Sequence, residues 1–216
     1  MPADIDRSVL DRGAWAALEG AYDALVAGGL PCGAALADAD GTVIVSGRNH
    51  VYDAATGTDV LEATPLAHAE LNVLAKIAHT RDLSNDTLWS TQQPCSMCSA
   101  ALAFCGVRSI RFLAADPAFA ATTDFRGGEV NDPTIERPEL TAWAILANAL
   151  FLQPSVARND TARLARNEAI EPETVIAARS LVDWPRGNGL EELVQATWVQ
   201  LMDLAAKRRE RLASRS

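Results

Sequence analysis

Long apolar runs are missing from this 216-residue sequence; the longest mostly apolar stretch, Leu140 to Leu152, is broken by Thr141 and Asn148. It falls short of the roughly 20 residues that cross a bilayer, so no membrane span is expected. Residues 1 to 13 carry acids among the bases and no apolar core, which argues against a secretory signal or transit peptide and for a cytoplasmic protein. Cysteine is scarce as well: four thiols without an export signal read as metal ligands or free thiols rather than as a disulfide framework. Positive charge is in deficit, with 19 Lys+Arg against 28 Asp+Glu and a formal charge of -9. Such a balance repels polyanions and disfavours nucleic acid as a partner. Repeats and low-complexity tracts are absent, and a composition 49% hydrophobic and 22% charged excludes disordered and collagen-like chains.

What is present is an orderly alternation of elements. Trp15, Leu18, Tyr22, Leu25 and Val26 recur with helical period, and Gly28-Gly29 with Pro31 supplies a stop. Residues 33–37 and 42–46, separated by Asp38-Ala39-Asp40-Gly41, read as a hairpin. A loop over 50–64 leads to a helix from Pro65 to about His79, then a strand over 87–91, a buried helix over 95–104 and a strand over 109–114. Strands joined through helices predict an α/β fold, a three-layer α/β/α sandwich with a mixed sheet. Helical patterns follow at 139–152, 155–168, 172–183 and from about Leu190. The expected organisation is a core over 1–135 and a mostly helical part over 136–216 packed on it as one folded unit. The run Lys207, Arg208, Arg209 and Arg211 reads as a solvated helix end.

Chemistry concentrates in Pro65-Leu66-Ala67-His68-Ala69-Glu70 and Gln93-Pro94-Cys95-Ser96-Met97-Cys98. Cys95 and Cys98 are about 300° apart in phase at a helix start, so both thiols can face one point, and the helix N-terminus favours the thiolate that zinc requires. His68 and Glu70 would be about 200° apart inside a helix; only with His68 at the helix start can both serve one site. His68, Cys95 and Cys98 then give three zinc ligands and leave a fourth position for water, with Glu70 beside it as acid/base. A closed structural zinc site would need a fourth ligand, and Cys105 lies about 10 Å along the helix from Cys98, too far to share the ion. Cys32 and Cys105 read as small buried apolar residues, and Trp89 as core. His50 has no preferred reading, while Phe119 and Phe125 fit a lid over a base as well as an ordinary packed loop.

His-x-Glu followed by Pro-Cys-x-x-Cys resembles the cytidine/deoxycytidylate deaminase superfamily, over roughly residues 10 to 116. Within it, Pro-x-Ala-His-Ala-Glu looks like the branch of guanine deaminases and tRNA adenosine deaminases, although Gln93 stands where that branch often has Glu. The resemblance implies one zinc ion per chain, a catalytic Glu70, substrate contacts from Asn49 and the backbone at Ala69, and a homodimer. It also implies a fifth strand, for which Thr174 to Ala178 is the candidate. The implied activity is hydrolytic deamination of a small nucleobase or nucleoside with release of ammonia, purine type such as guanine or its nucleoside first. tRNA adenosine or cytosine/cytidine deamination is the alternative, and a zinc-stabilised interaction module the non-enzymatic one. Metal analysis of folded protein is expected to give one zinc per chain, lost in Cys95→Ser; a content near zero in the unaltered protein contradicts the site.

Overall fold

The structure, a computed structural model, describes residues 10–57, 61–115, 133–136, 141–184 and 186–214. Helix α1 (Arg12–Val26) buries Leu18, Tyr22 and Leu25 along the predicted stripe. It ends where Gly28 adopts a φ of +80°: the Gly28 N–H donates to the Leu25 carbonyl at 3.0 Å and the Gly29 N–H to the Ala24 carbonyl at 2.8 Å. This left-handed turn satisfies two end carbonyls and suits a residue without Cβ. Strands β1 (Gly33–Ala37) and β2 (Val43–Arg48) form the predicted hairpin, Gly33 opposite Arg48. A Cβ on Gly33 would stand 2.0 Å from the Ala17 carbonyl oxygen, so glycine is what lets α1 lie directly on β1.

With β3 (Thr87–Gln92), β4 (Ser109–Ala114) and β5 (Thr134–Glu136), the sheet has the order β2-β1-β3-β4-β5. β1 runs antiparallel to β2 and β3, whereas β3, β4 and β5 are parallel. Helices α2 (Ala69–Ala75) and α3 (Ser96–Phe104) lie on one face, where Val73 and Leu102 meet Leu36, Leu88 and Ile110. On the other face α1 and α4 (Thr141–Ala157) pack through Leu18, Trp89, Leu113 and Leu146. These are the three layers that the element order predicts. Helix α4 has apolar residues all around and is buried accordingly, because α6 (Pro172–Ser180) and α7 (Gly189–Ala213) also pack against it. Trp143 sits at the junction, edge-on to Trp15 at 6.1 Å and tilted against Trp198 at 4.6 Å. α5 (Thr161–Ile170) bridges α4 and α6.

Several expectations need correction. Thr174 to Ala178 is not a strand but part of α6, where Pro172 opens the helix and Glu173 complements its first turn; the fifth strand is Thr134–Glu136. α2 is shorter than Pro65 to His79: Pro65 and Leu66 lie in a turn, His68 is extended and precedes the helix, and Lys76 and Ile77 bond back to Val73 and Leu74 in a tighter turn that ends it. α3 buries only Cys98 and Leu102; Phe104 is 92% exposed, Cys105 is exposed, and Cys32 is half-buried. An Ala-rich outermost helix is apolar in composition without being covered. α4 continues through Pro154 to Ala157, and the break falls instead at Asn159, with a φ of 52°. Asp160 then caps α5 by accepting the Arg163 N–H at 3.1 Å. Arg208 and Arg211 are not a solvated end but half-buried partners of Glu171 at 2.5 Å and Glu173 at 2.8 Å. Phe119 and Phe125 lie outside the described residues. No described helix is long and apolar enough to cross a membrane.

Trp143→Ala, which empties the junction of α1, α4 and α7, is expected to cost about 3–5 kcal/mol in denaturant unfolding. Val199→Ala on the exposed side of α7 should stay within about 0.5 kcal/mol; equal effects would mean that the helical part does not contribute to the core as packed.

Candidate functional site

The site forms at the carboxyl ends of the parallel strands β3 and β4, where open α/β sheets commonly hold ligands. β3 ends at Gln92, and the Gln93 N–H donates to the Ala114 carbonyl at 2.8 Å, keeping the exit of β3 aligned with the end of β4. Pro94 then leads into Cys95, which is extended and caps α3. Across from it, the His50 N–H donates to the Ala67 carbonyl at 2.9 Å and Asn72 Nδ2 to the Arg48 carbonyl at 3.1 Å. These bonds fix the entry of α2 against the end of β2 and leave His68, also extended, at the helix start.

Two helix starts therefore bring three donor atoms together. His68 Nδ1 lies 3.7 Å from Cys95 Sγ and 3.5 Å from Cys98 Sγ, and the sulfurs are 3.6 Å apart. A tetrahedral zinc with bonds of about 2.3 Å to sulfur and 2.0–2.1 Å to nitrogen has edges of about 3.8 Å between sulfurs and 3.6 Å between nitrogen and sulfur. The triangle fits, and the set offers the histidine and thiolate donors that zinc takes. The Cys98 S–H donates to Cys95, which is thereby lowered to about 4, while that donation and burial push Cys98 up. The Cys95 sulfur, beside its ring, raises His68. Zinc takes thiolates and a neutral imidazole, so metal affinity falls as pH drops.

Glu70, in the first turn of α2, is 6% exposed. Its Oε1 accepts the Ser90 hydroxyl at 3.3 Å, and Oε2 lies 3.5 Å from Cys98 Sγ. Burial lifts its carboxyl above the usual carboxylate range. A cavity of about 320 Å³ opens over His68, Glu70 and Cys95 and reaches α4 and α5. Asn49, 2% exposed, lines it; Asn49 Oδ1 accepts the Val51 N–H at 3.0 Å, leaving Nδ2 unbonded among the described residues. Gln92 and Gln93 line it too; Gln92 Nε2 donates to the Ala147 carbonyl of α4 at 3.3 Å, and Gln92 Oε1 is buried without a partner among the described residues. Ala69 is fully buried between His68 and Glu70. His50 is directed elsewhere, paired with Asp53 at 3.1 Å, and His79 is exposed. Trp89 is core, with the Arg111 guanidinium 5.6 Å from its ring centre.

The sequence reading does not single out Ser90, or the arginines that line the cavity, Arg158 from the turn after α4 and Arg163 and Arg166 from α5. Ser90 could be found from period-two alternation, since it follows Leu88 onto the sheet face beneath α2. The arginines lie more than 50 residues beyond the motifs and become neighbours of the site only through folding.

Residues 12–114 match the family described as the cytidine and deoxycytidylate deaminase zinc-binding region. The chain is 36% identical over 83 residues to a probable cytosine deaminase of Schizosaccharomyces pombe, covering 38% of this chain and 46% of that protein. It is 34% identical over 103 residues to a tRNA-specific adenosine deaminase of Haemophilus influenzae, covering 46% of this chain and 55% of that protein. The chain thus spans about half the length of the curated relatives it matches. A structure from a study of A-to-I editing by tRNA:A34 deaminases aligns over 62% of this chain and 100% of its own, with a TM-score of 0.50 at 25% identity. The motifs, the donor triangle and the sheet order converge with these matches: residues 12–114 of this chain match the cytidine and deoxycytidylate deaminase zinc-binding region.

Proposed function

We propose that the protein is a zinc-dependent hydrolytic deaminase of a small nucleobase or nucleoside, releasing ammonia. The observation that carries this is the buried Glu70 carboxyl beside a three-donor metal set under a cavity. A zinc-stabilised interaction module has no use for an acid held at that place. In this reading His68, Cys95 and Cys98 hold the ion, which when bound supplies Lewis acidity that makes water a nucleophile near neutral pH. Glu70 moves the protons: Oε2 takes one from the attacking water and passes it to the ring nitrogen, then takes the second from the added hydroxyl and passes it to the amine, which leaves as ammonia while the carbonyl forms. Burial raises the pKa of Glu70, which makes the carboxylate a stronger proton acceptor than an exposed one. Ser90 is a positioning residue, holding Oε1 so that Oε2 is the oxygen that works. Asn49 Nδ2 donates to the bound base, and the backbone at Ala69 contributes as the resemblance implies.

The base is of purine type, guanine or its nucleoside first, on the strength of Pro-x-Ala-His-Ala-Glu and the likeness to a tRNA-specific adenosine deaminase. The likeness to a probable cytosine deaminase supports a pyrimidine as the second reading. The helical part over 136–216 belongs to the same folded unit as the core over 1–135, and the protein works in the cytoplasm. A homodimer is supported by the apolar outer side of α3, where Phe104 is exposed and Ala100, Ala101 and Ala103 are only partly covered.

Glu70→Gln is expected to keep zinc and fold but lose at least about 10²- to 10⁴-fold in turnover; near-normal turnover removes Glu70 from the mechanism. Initial ammonia release with guanine, guanosine, adenosine, cytosine and cytidine at equal concentration should favour a purine. A clear preference for cytosine or cytidine reverses the base assignment and leaves the proton transfers unchanged.

A further inference from the structure

The cavity over the metal donors has two chemically different ends. Near His68 and Glu70 its polar groups are carboxamides, from Asn49, Gln92 and Gln93. At the far end Arg158, from the turn after α4, and Arg163 and Arg166, three apart on one face of α5, line the same space. In a chain of net charge -9, other guanidiniums are held by carboxylates: Arg48 by Asp53, Arg81 by Asp86, Arg208 by Glu171 and Arg211 by Glu173. None of the three at the cavity has a carboxylate partner among the described residues. Arg163 is held instead by the Phe151 ring, 5.6 Å from its centre, an arrangement that fixes a guanidinium without neutralising it. The one carboxylate at this end, Asp160, accepts the Arg163 N–H as helix cap.

Three guanidiniums with no carboxylate partner among the described residues, lining one cavity, form a receptor for an oxyanion, and the planar fork of arginine matches phosphate oxygens two at a time. The amide-lined end suits a neutral heterocycle. We infer that the substrate is a nucleoside monophosphate, its base at the metal donors and its phosphate at Arg158, Arg163 and Arg166. The volume of about 320 Å³ is at the lower end of ligand cavities, roughly 300–1,000 Å³, and holds one nucleotide rather than a strand. These arginines lie beyond residue 114, so recognition of the phosphate comes from the helical part and not from the matched family segment. The inference rests on the deaminase reading and specifies the form in which the base is presented.

The test is calorimetric binding to zinc-loaded Glu70→Gln protein, which does not turn over. Guanosine is compared with guanosine 5′-monophosphate, and cytidine with cytidine 5′-monophosphate, so that the base assignment does not decide the outcome. For the base the site accepts, the monophosphate is expected to bind at least about tenfold tighter than the nucleoside, by an advantage that shrinks as salt is raised. Arg158→Gln/Arg163→Gln/Arg166→Gln should abolish the advantage and leave nucleoside affinity unchanged. Arg166→Gln alone, at an exposed position, should reduce it if the triple variant does not fold. Equal affinity of nucleoside and monophosphate, or an advantage that survives loss of the arginines, overturns the inference. So does tighter binding of a single-stranded oligonucleotide, which would assign the arginines to a polynucleotide. Ammonia release from nucleosides with no gain from phosphate leaves the deaminase reading standing and removes this one. Lack of ammonia release from bases, nucleosides and monophosphates alike removes the deaminase reading, while the binding comparison still reports on the arginines.

Discussion

Three donor atoms 3.5 to 3.7 Å apart, delivered by two helices, set a tolerance that the rest of the molecule has to meet. A shift of α2 against α3 by one ångström would spoil the triangle, so both helix starts must be referred to one rigid object. That object is the sheet. Asn72 and the His50 N–H tie the entry of α2 to the end of β2, and the Gln93 N–H ties the entry of α3 to the end of β4. α1 lies on the opposite face, where Gly33 allows backbone to approach backbone, and supports the strands from behind.

The same crowding sets the electrostatics. The Cys98 thiol, 3.6 Å from the Cys95 sulfur and 3.5 Å from a Glu70 oxygen, cannot ionise in a buried place beside two further negative charges. The hydrogen bond between the sulfurs lowers Cys95 and raises Cys98, while burial lifts the Glu70 carboxyl. A divalent cation relieves this conflict and in turn holds the two helices in place, so metal binding and the order of the helix starts support each other.

The centre of the site was legible because its determinants are local. Cys95 and Cys98 are spaced to converge from one helix start, and His68 and Glu70 serve one site only where a helix begins between them, which is what the structure has. The core strands were legible from alternation and from their turns. What escaped was decided by tertiary contact. β5 is three exposed residues at the sheet edge, too short to show a period, and takes its shape from β4. Thr174 to Ala178 has strand-like residues, but Pro172 and burial against α4 make it a helix. Arg208 and Arg211 looked like a solvated end until Glu171 and Glu173 were placed beside them. Cys105 is exposed because α3 is outermost, a fact about the packing order and not about cysteine.

The hydrogen bond from Gln92 to Ala147 fixes a direction as well as a position. With Nε2 donating to α4, Oε1 is left buried and without a partner among the described residues. An unmatched buried acceptor costs about 1–3 kcal/mol, which the tie between the end of β3 and α4 has to offset. The helix outside the motif-bearing segment thus sets the orientation of a side chain that lines the cavity.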